Sequence, residues 1–178
     1  MLNKLKSLLS RKDPLHDAAF LLYGRLVGQA RQPAFYAELG VPDDVDGRFE
    51  MIILHAFVAM RRLKGLSEPA GRFSQQLFDV MFMDMDRSLR EMGVSDVSIG
   101  KHIKRMMRGF YGRVGAYEDG LDGGTGLGAA LERNLYGTVS AAPEHLERLE
   151  NYVRTLDRAF KQCDLAAVME GRIDFPQP

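Results

Sequence analysis

Asp84 and Asp86 are the residues that first invite a chemical reading, two carboxylates with Met85 between them in FDVMFMDMDRSLREMGV (Phe78–Val94). A carboxylate pair can bind a metal or share a proton. On a helix, however, residues two apart point to different faces, and no histidine accompanies these two. Asp84 stands three residues before Arg87 and Asp86 four before Arg90, the spacings at which helical ion pairs form. His16, His55, His102 and His145 are scattered singly over separate expected helices. His55 falls in an apolar run, where a hydrogen-bonded core histidine is the expected state rather than a ligand or base. Cys163 stands alone, which excludes an internal disulfide framework and any metal-ligand cysteine spacing. It lies on the inner stripe of its helix and reads as a small buried hydrophobe. GTGLG (Gly124–Gly128) has neither a preceding strand nor a Walker lysine, so it reads as a loop and not as a nucleotide cradle. No serine or cysteine sits in a nucleophile-elbow context. The sequence therefore offers no catalytic site, no metal site and no cofactor.

The most informative polar feature is a charge run. Lys101, Lys104, Arg105 and Arg108 recur at i, i+3, i+4 and i+7, so a helix projects all four from one face. A solvated face is the ordinary reading of such a run. Like charges at these spacings repel by a few tenths of a kcal/mol per pair, with no interleaved acid to offset them. That cost favours a contact surface for acidic protein, anionic lipid or RNA phosphate. Several of the ten methionines fall on this helix and the one before it. They either fill core gaps or form an adaptable surface for an apolar client segment, with Met81, Phe82 and Met85 as candidate contacts.

These side chains are positioned by helices. Phe78, Phe82, Met85, Leu89 and Met92 form one stripe, Phe73, Leu77, Val80 and Met81 widen it, and Gly93 ends the helix. An apolar surface around so much of the girth makes this helix the expected hub. Before it, Asp13-Pro14 starts a helix reaching about Arg31, with Leu15, Ala18, Ala19, Leu22, Tyr23 and Leu26 inside. A short AFYAEL turn or helix follows Pro33. Asp46 is the expected cap of a helix in which Phe49, Ile52, Ile53, Ala56, Phe57, Met60 and Leu63 keep helical period. After Gly93, Ser95 or Ser98 caps a helix from about Ile99 to Glu118, and GLDGGTGLG (Gly120–Gly128) forms a flexible loop. A short helix around Leu131, Leu135 and Tyr136, a long one from Pro143 and a last one over Leu165–Glu170 complete the chain. No alternating strand and no internal repeat is found. The fold class is all-α, a single domain of roughly seven helices over residues 13–178 without a sheet. Residues 1–12, MLNKLKSLLSRK, form a basic amphipathic arm that can lie on an anionic membrane; a frayed or docked terminal helix is the simpler alternative.

Lys+Arg and Asp+Glu number 24 each, so any electrostatic partner must be sought in local patches. Zero net charge and the lack of a recognition helix argue against a nucleic-acid-binding regulator, and no DNA partner is expected. No apolar run is long enough to span a membrane, and the N-terminus lacks the apolar core and cleavage site of a secretory signal. A cytoplasmic protein, peripheral at a membrane, is expected.

The wording of two stretches is more specific. LLYGRLVGQARQPAFYAELGVPDDVDGRFEMIILH (Leu21–His55) and FDVMFMDMDRSLREMGVSDVSIGKHIKRMMRGFYGRVGAYE (Phe78–Glu118) resemble the ubiquinol–cytochrome c chaperone family, assembly factors of the cytochrome bc respiratory complex. The resemblance is carried mainly by residues 15–120. The signature residues present here are Tyr23, Arg25, Arg48, Phe49, Asp79, Asp84, Asp86, Arg87, Leu89, Arg90, Gly93, Tyr111, Gly112 and Arg113. The resemblance implies a non-enzymatic, all-helical chaperone for cytochrome b. It implies partners too: the client, a small helical co-chaperone and the ribosome; an anionic membrane surface is the partner that the basic residues themselves suggest in place of the ribosome. In the absence of a long targeting presequence it points to a bacterial form at the inner membrane. Two other readings stand beside it, a cytoplasmic helical enzyme using Asp84 and Asp86, and a general helical protein-interaction module.

Overall fold

A computed structural model describes residues 13–124, 126–137 and 139–178, so the expected N-terminal arm lies outside the described residues. The order is α1 (Pro14–Ala30), α2 (Pro33–Ala37), α3 (Val45–Leu63), α4 (Ala70–Glu91), α5 (Asp96–Leu121), α6 (Leu127–Leu131), a π turn (Glu132–Tyr136), α7 (Pro143–Gln162) and α8 (Leu165–Met169). The fold is all-α as expected, and no strand occurs among the described residues. Eight α-helices and the π turn fill the described residues, close to the roughly seven helices expected, and three of them, α2, α6 and α8, are only five residues long.

Local chemistry sets most boundaries. Asp13 caps α1, its carboxylate accepting from the Leu15 amide at 3.1 Å, with Pro14 at the first helical position. The cap of α3 is Asp44 and not Asp46: the Gly47 amide donates to Asp44 Oδ1 at 2.8 Å. Asp46 instead sits in the first turn, where a carboxylate suits the helix dipole. Gly93 closes α4 with φ at 83°. Its amide reaches the Arg90 carbonyl at 2.9 Å and the Val94 amide reaches the Leu89 carbonyl at 3.0 Å, the paired bonds of a Schellman end.

The helix enclosed by its neighbours is α3, not α4. Every residue from Glu50 to Ala59 is buried, as α1, α4, α7 and the π turn pack around it. An apolar surface on all sides is what an interior helix requires. Helix α4 packs on α1, α3 and α5 and leaves Met83 and Met92 exposed. Helix α5 also runs past its expected end, through Gly120 to Leu121. Gly120 is a packing residue and not a loop residue, because a Cβ there would stand 2.6 Å from the Leu127 Cβ. Cys163 is the C-cap of α7 and only partly buried, its thiol 3.5 Å from the Arg172 carbonyl.

His55 is the satisfied core histidine that its surroundings imply. It is fully buried, with Nδ1 2.7 Å from the Met51 carbonyl and Nε2 2.7 Å from the Tyr152 hydroxyl. The carbonyl can only accept, so Nδ1 carries the proton and Tyr152 donates to Nε2. Gln29 in turn donates to the Tyr152 oxygen at 3.1 Å, which joins α1, α3 and α7 through one polar chain.

Candidate functional site

The C-terminal half of α4, the first turns of α3, the N-terminal half of α5 and one flank of α1 meet at a groove of ≈ 520 Å³. Its floor is apolar, made by Phe49 and Ile52 from α3, Met85, Leu89 and Met92 from α4, and Met106 from α5. Its rim is polar, with the cations Arg31, Arg48 and Arg105 and the His102 ring around the opening. Arg31 and Arg48 also edge a second, open depression of ≈ 590 Å³ beside it.

Two polar pairs fasten the walls. The Tyr23 hydroxyl on α1 donates to Asp84 Oδ2 on α4 at 2.9 Å, and Arg87 donates to the other carboxylate oxygen at 2.6 Å. Burial, with the Asp84 charge beside it, pushes the Tyr23 hydroxyl above its ordinary pKa, so it remains a donor. Glu50 on α3 receives a two-pronged guanidinium from Arg113 on α5, Nε at 2.5 Å to Oε2 and Nη2 to Oε1. Burial holds the Glu50 pKa above its ordinary value, although the Arg113 guanidinium opposes the rise. Gly109 makes room for this fork, since a Cβ there would lie 2.4 Å from Arg113 Nη1. Asp86 pairs with Arg90 at 2.7 Å, and Arg90 also contacts Asp96 at the start of α5.

Asp84 and Asp86 are thus engaged in the ion pairs that their spacing predicts. Among the described residues no group of three histidine, cysteine or acidic side chains is placed to hold a metal ion. Lys101, Lys104, Arg105 and Arg108 are all exposed, as expected, with Arg105 donating to His102 Nδ1 at 2.9 Å. Tyr111 is exposed as well, its ring 5.8 Å from Phe110 and 6.1 Å from Phe78.

Of the three apolar contact residues expected from the sequence, Met81 and Phe82 require correction. Met81, Phe82 and Met85 are 0%, 8% and 4% exposed, packed into the core, and Met85 alone borders the groove. Met83 and Met92 are the exposed methionines of α4. Arg25 is structural too: it donates to the Ile173 carbonyl at 2.8 Å and stacks over Phe175, pinning the C-terminal tail on α1. Residues that line the groove but were not singled out include Arg31, Glu50, His102 and Met106. The one available signal was Glu50, an acid inside the apolar stretch of α3 and so in need of a buried cation.

Six of the signature positions, Tyr23, Arg48, Phe49, Asp84, Leu89 and Arg113, line this single groove although they come from four helices. Residues 37–175 match the ubiquinol-cytochrome C chaperone family. The chain belongs to that family. It is 28% identical to human ubiquinol-cytochrome c reductase complex assembly factor 1 over 138 residues, 77% of this chain and 46% of the human protein. Protein CBP3, mitochondrial, of Saccharomyces cerevisiae is 30% identical over 150 residues, 81% of this chain and 44% of the yeast protein. The chain therefore spans about half the length of these relatives. In three dimensions it resembles the crystal structure of the Cbp3 homologue from Brucella abortus, with a TM-score of 0.83, 35% identity and coverage of 99% and 97% of the two chains. No described helix is long and apolar enough to cross a membrane.

Proposed function

We propose that this chain is an assembly chaperone for the ubiquinol–cytochrome c reductase complex, acting by binding and not by catalysis. Its groove holds an apolar segment of newly made cytochrome b until haem and neighbouring subunits are in place. Family membership supports the assembly role, since the human relative is named for that complex. The observation that carries the groove into the proposal is the meeting of signature residues from four helices around a floor of Met85, Leu89, Met92, Met106, Phe49 and Ile52. Thioether side chains adapt their shape to varied apolar partners, which suits a client that is later released. The pairs Tyr23–Asp84 and Glu50–Arg113 tie α1 to α4 and α3 to α5 and so fix the helices that line the groove. Asp84 and Asp86 serve as structural anchors in this reading, each held in an ion pair, Asp84 with Arg87 and Asp86 with Arg90.

A photo-crosslinking side chain at Met92, 52% exposed at the groove, tests the reading directly in cells making cytochrome b. The expected product is an adduct with cytochrome b, absent when the same group is placed at Val139, 53% exposed and outside the groove lining. Equal adducts from both positions, or none from Met92, would overturn the groove assignment.

A further inference from the structure

The solvent face of α5 carries a second surface. From Val97 to Tyr117 the helix contains no carboxylate, and its outward stripe reads Val97, Lys101, Lys104, Arg105, Arg108, Tyr111. At 1.5 Å per residue this stripe is roughly 20 Å long. None of the four cations pairs with a carboxylate among the described residues, in contrast to Arg113 of the same helix, which pairs with Glu50. Both ends of the stripe are apolar and exposed, Val97 at 89% and Tyr111 at 62%. The relief is low, because Gly100, Gly112 and Gly115 lie on the exposed side with nothing within 4 Å of a built Cβ. Each of these glycines weakens a helix, and no close approach inside the chain requires any of them.

We infer that this face docks the protein on an anionic lipid surface. Cations flanked by exposed apolar side chains on one helix form an interfacial pattern, with charges at the headgroups and Val97 and Tyr111 entering the acyl boundary. A stripe of low relief needs only a plane opposite it, whereas an acidic protein partner needs a matching shape. RNA is a poorer fit: Tyr111 is the only aromatic ring on the stripe, so successive bases have no row of rings to stack on. Arg105 belongs to both the stripe and the groove rim, so docking sets the groove mouth beside the bilayer. That last consequence rests on the chaperone reading; the docking itself does not.

Sedimentation of the full chain with phosphatidylglycerol–phosphatidylcholine vesicles, against pure phosphatidylcholine, provides the test. Partition to the anionic vesicles is expected, falling steeply with added salt. Each cation near such a surface is worth roughly a fivefold change in partition. The double variant Lys104→Gln/Arg108→Gln should therefore lose about 25-fold with its helical circular dichroism intact, and Val97→Asp should also weaken binding. Three outcomes would overturn the inference: equal binding to neutral vesicles, wild-type partition by the double variant, or association with RNA oligomers but not vesicles. Loss of partition only when Lys4, Lys6, Arg11 and Lys12 are neutralised would overturn it as well, assigning the contact to residues 1–12. None of these outcomes depends on what the groove holds.

Discussion

Glu50 and His55 are five residues apart on α3, and the chain treats them in opposite ways. Glu50 stays polar in the interior because Arg113 reaches it from α5, and removing that partner would leave a buried charge without compensation. His55 has no charged partner, and burial pushes its pKa down to about 4. Its folded value therefore lies below the ordinary value of 6.5, and the sign of the linkage follows. The neutral ring contributes its full stability above pH 6.5 and loses it as pH falls towards the folded value, at about 1.4 kcal/mol per pH unit. Urea midpoints measured from about pH 7 down to about pH 5 should drop for the wild-type chain. The drop should be shallower for His55→Gln, which has no titrating ring. Parallel slopes for the two proteins would show that another group sets the acid limit.

At the scale of elements, helix ends and inner stripes were legible in the sequence because their causes are local. Asp13-Pro14 starts α1 and Gly93 stops α4 through groups within a few residues of the boundary. What was not legible is which helix the others surround. Glu50–Ala59 is buried on every side, but an unbroken apolar run does not say how many neighbours cover it. The same ambiguity put Met81 and Phe82 on a partner surface: a helix apolar around most of its girth does not reveal which side meets the core. Gly120 shows a third limit, since a glycine in a glycine-rich stretch reads as a loop until its neighbour in space is known. Leu127 backbone atoms lie 2.7 and 2.8 Å from the Cβ that an alanine would add. Gly120→Ala should therefore separate α5 from α6 and cost about 1–3 kcal/mol. Gly112→Ala, with open space around it, should instead stabilise the helix by roughly 0.5–1 kcal/mol. Thermal melts of both variants would check the pair, and equal effects would remove the close crossing as an explanation.

For the whole molecule, the signature residues divide by what they touch. Arg25 holds the C-terminal tail, Asp86 and Arg90 join α4 to the start of α5, and Tyr23, Asp84 and Arg113 fasten the groove walls. The groove could not be read from spacing, because its parts lie on four helices spread from Tyr23 to Arg113. The basic stripe could, because it lies on α5 alone. A binding groove and a flat cationic face meeting at Arg105 fit a protein that meets its client at a surface. The proposed role makes this chain necessary for assembly of the respiratory complex. An absorbance difference spectrum of membranes from a strain lacking the gene tests it most directly, with cytochrome b and c signals quantified. Loss of the complex's bands, restored by the wild-type gene, is the predicted result. Normal bands with full reductase activity would contradict it.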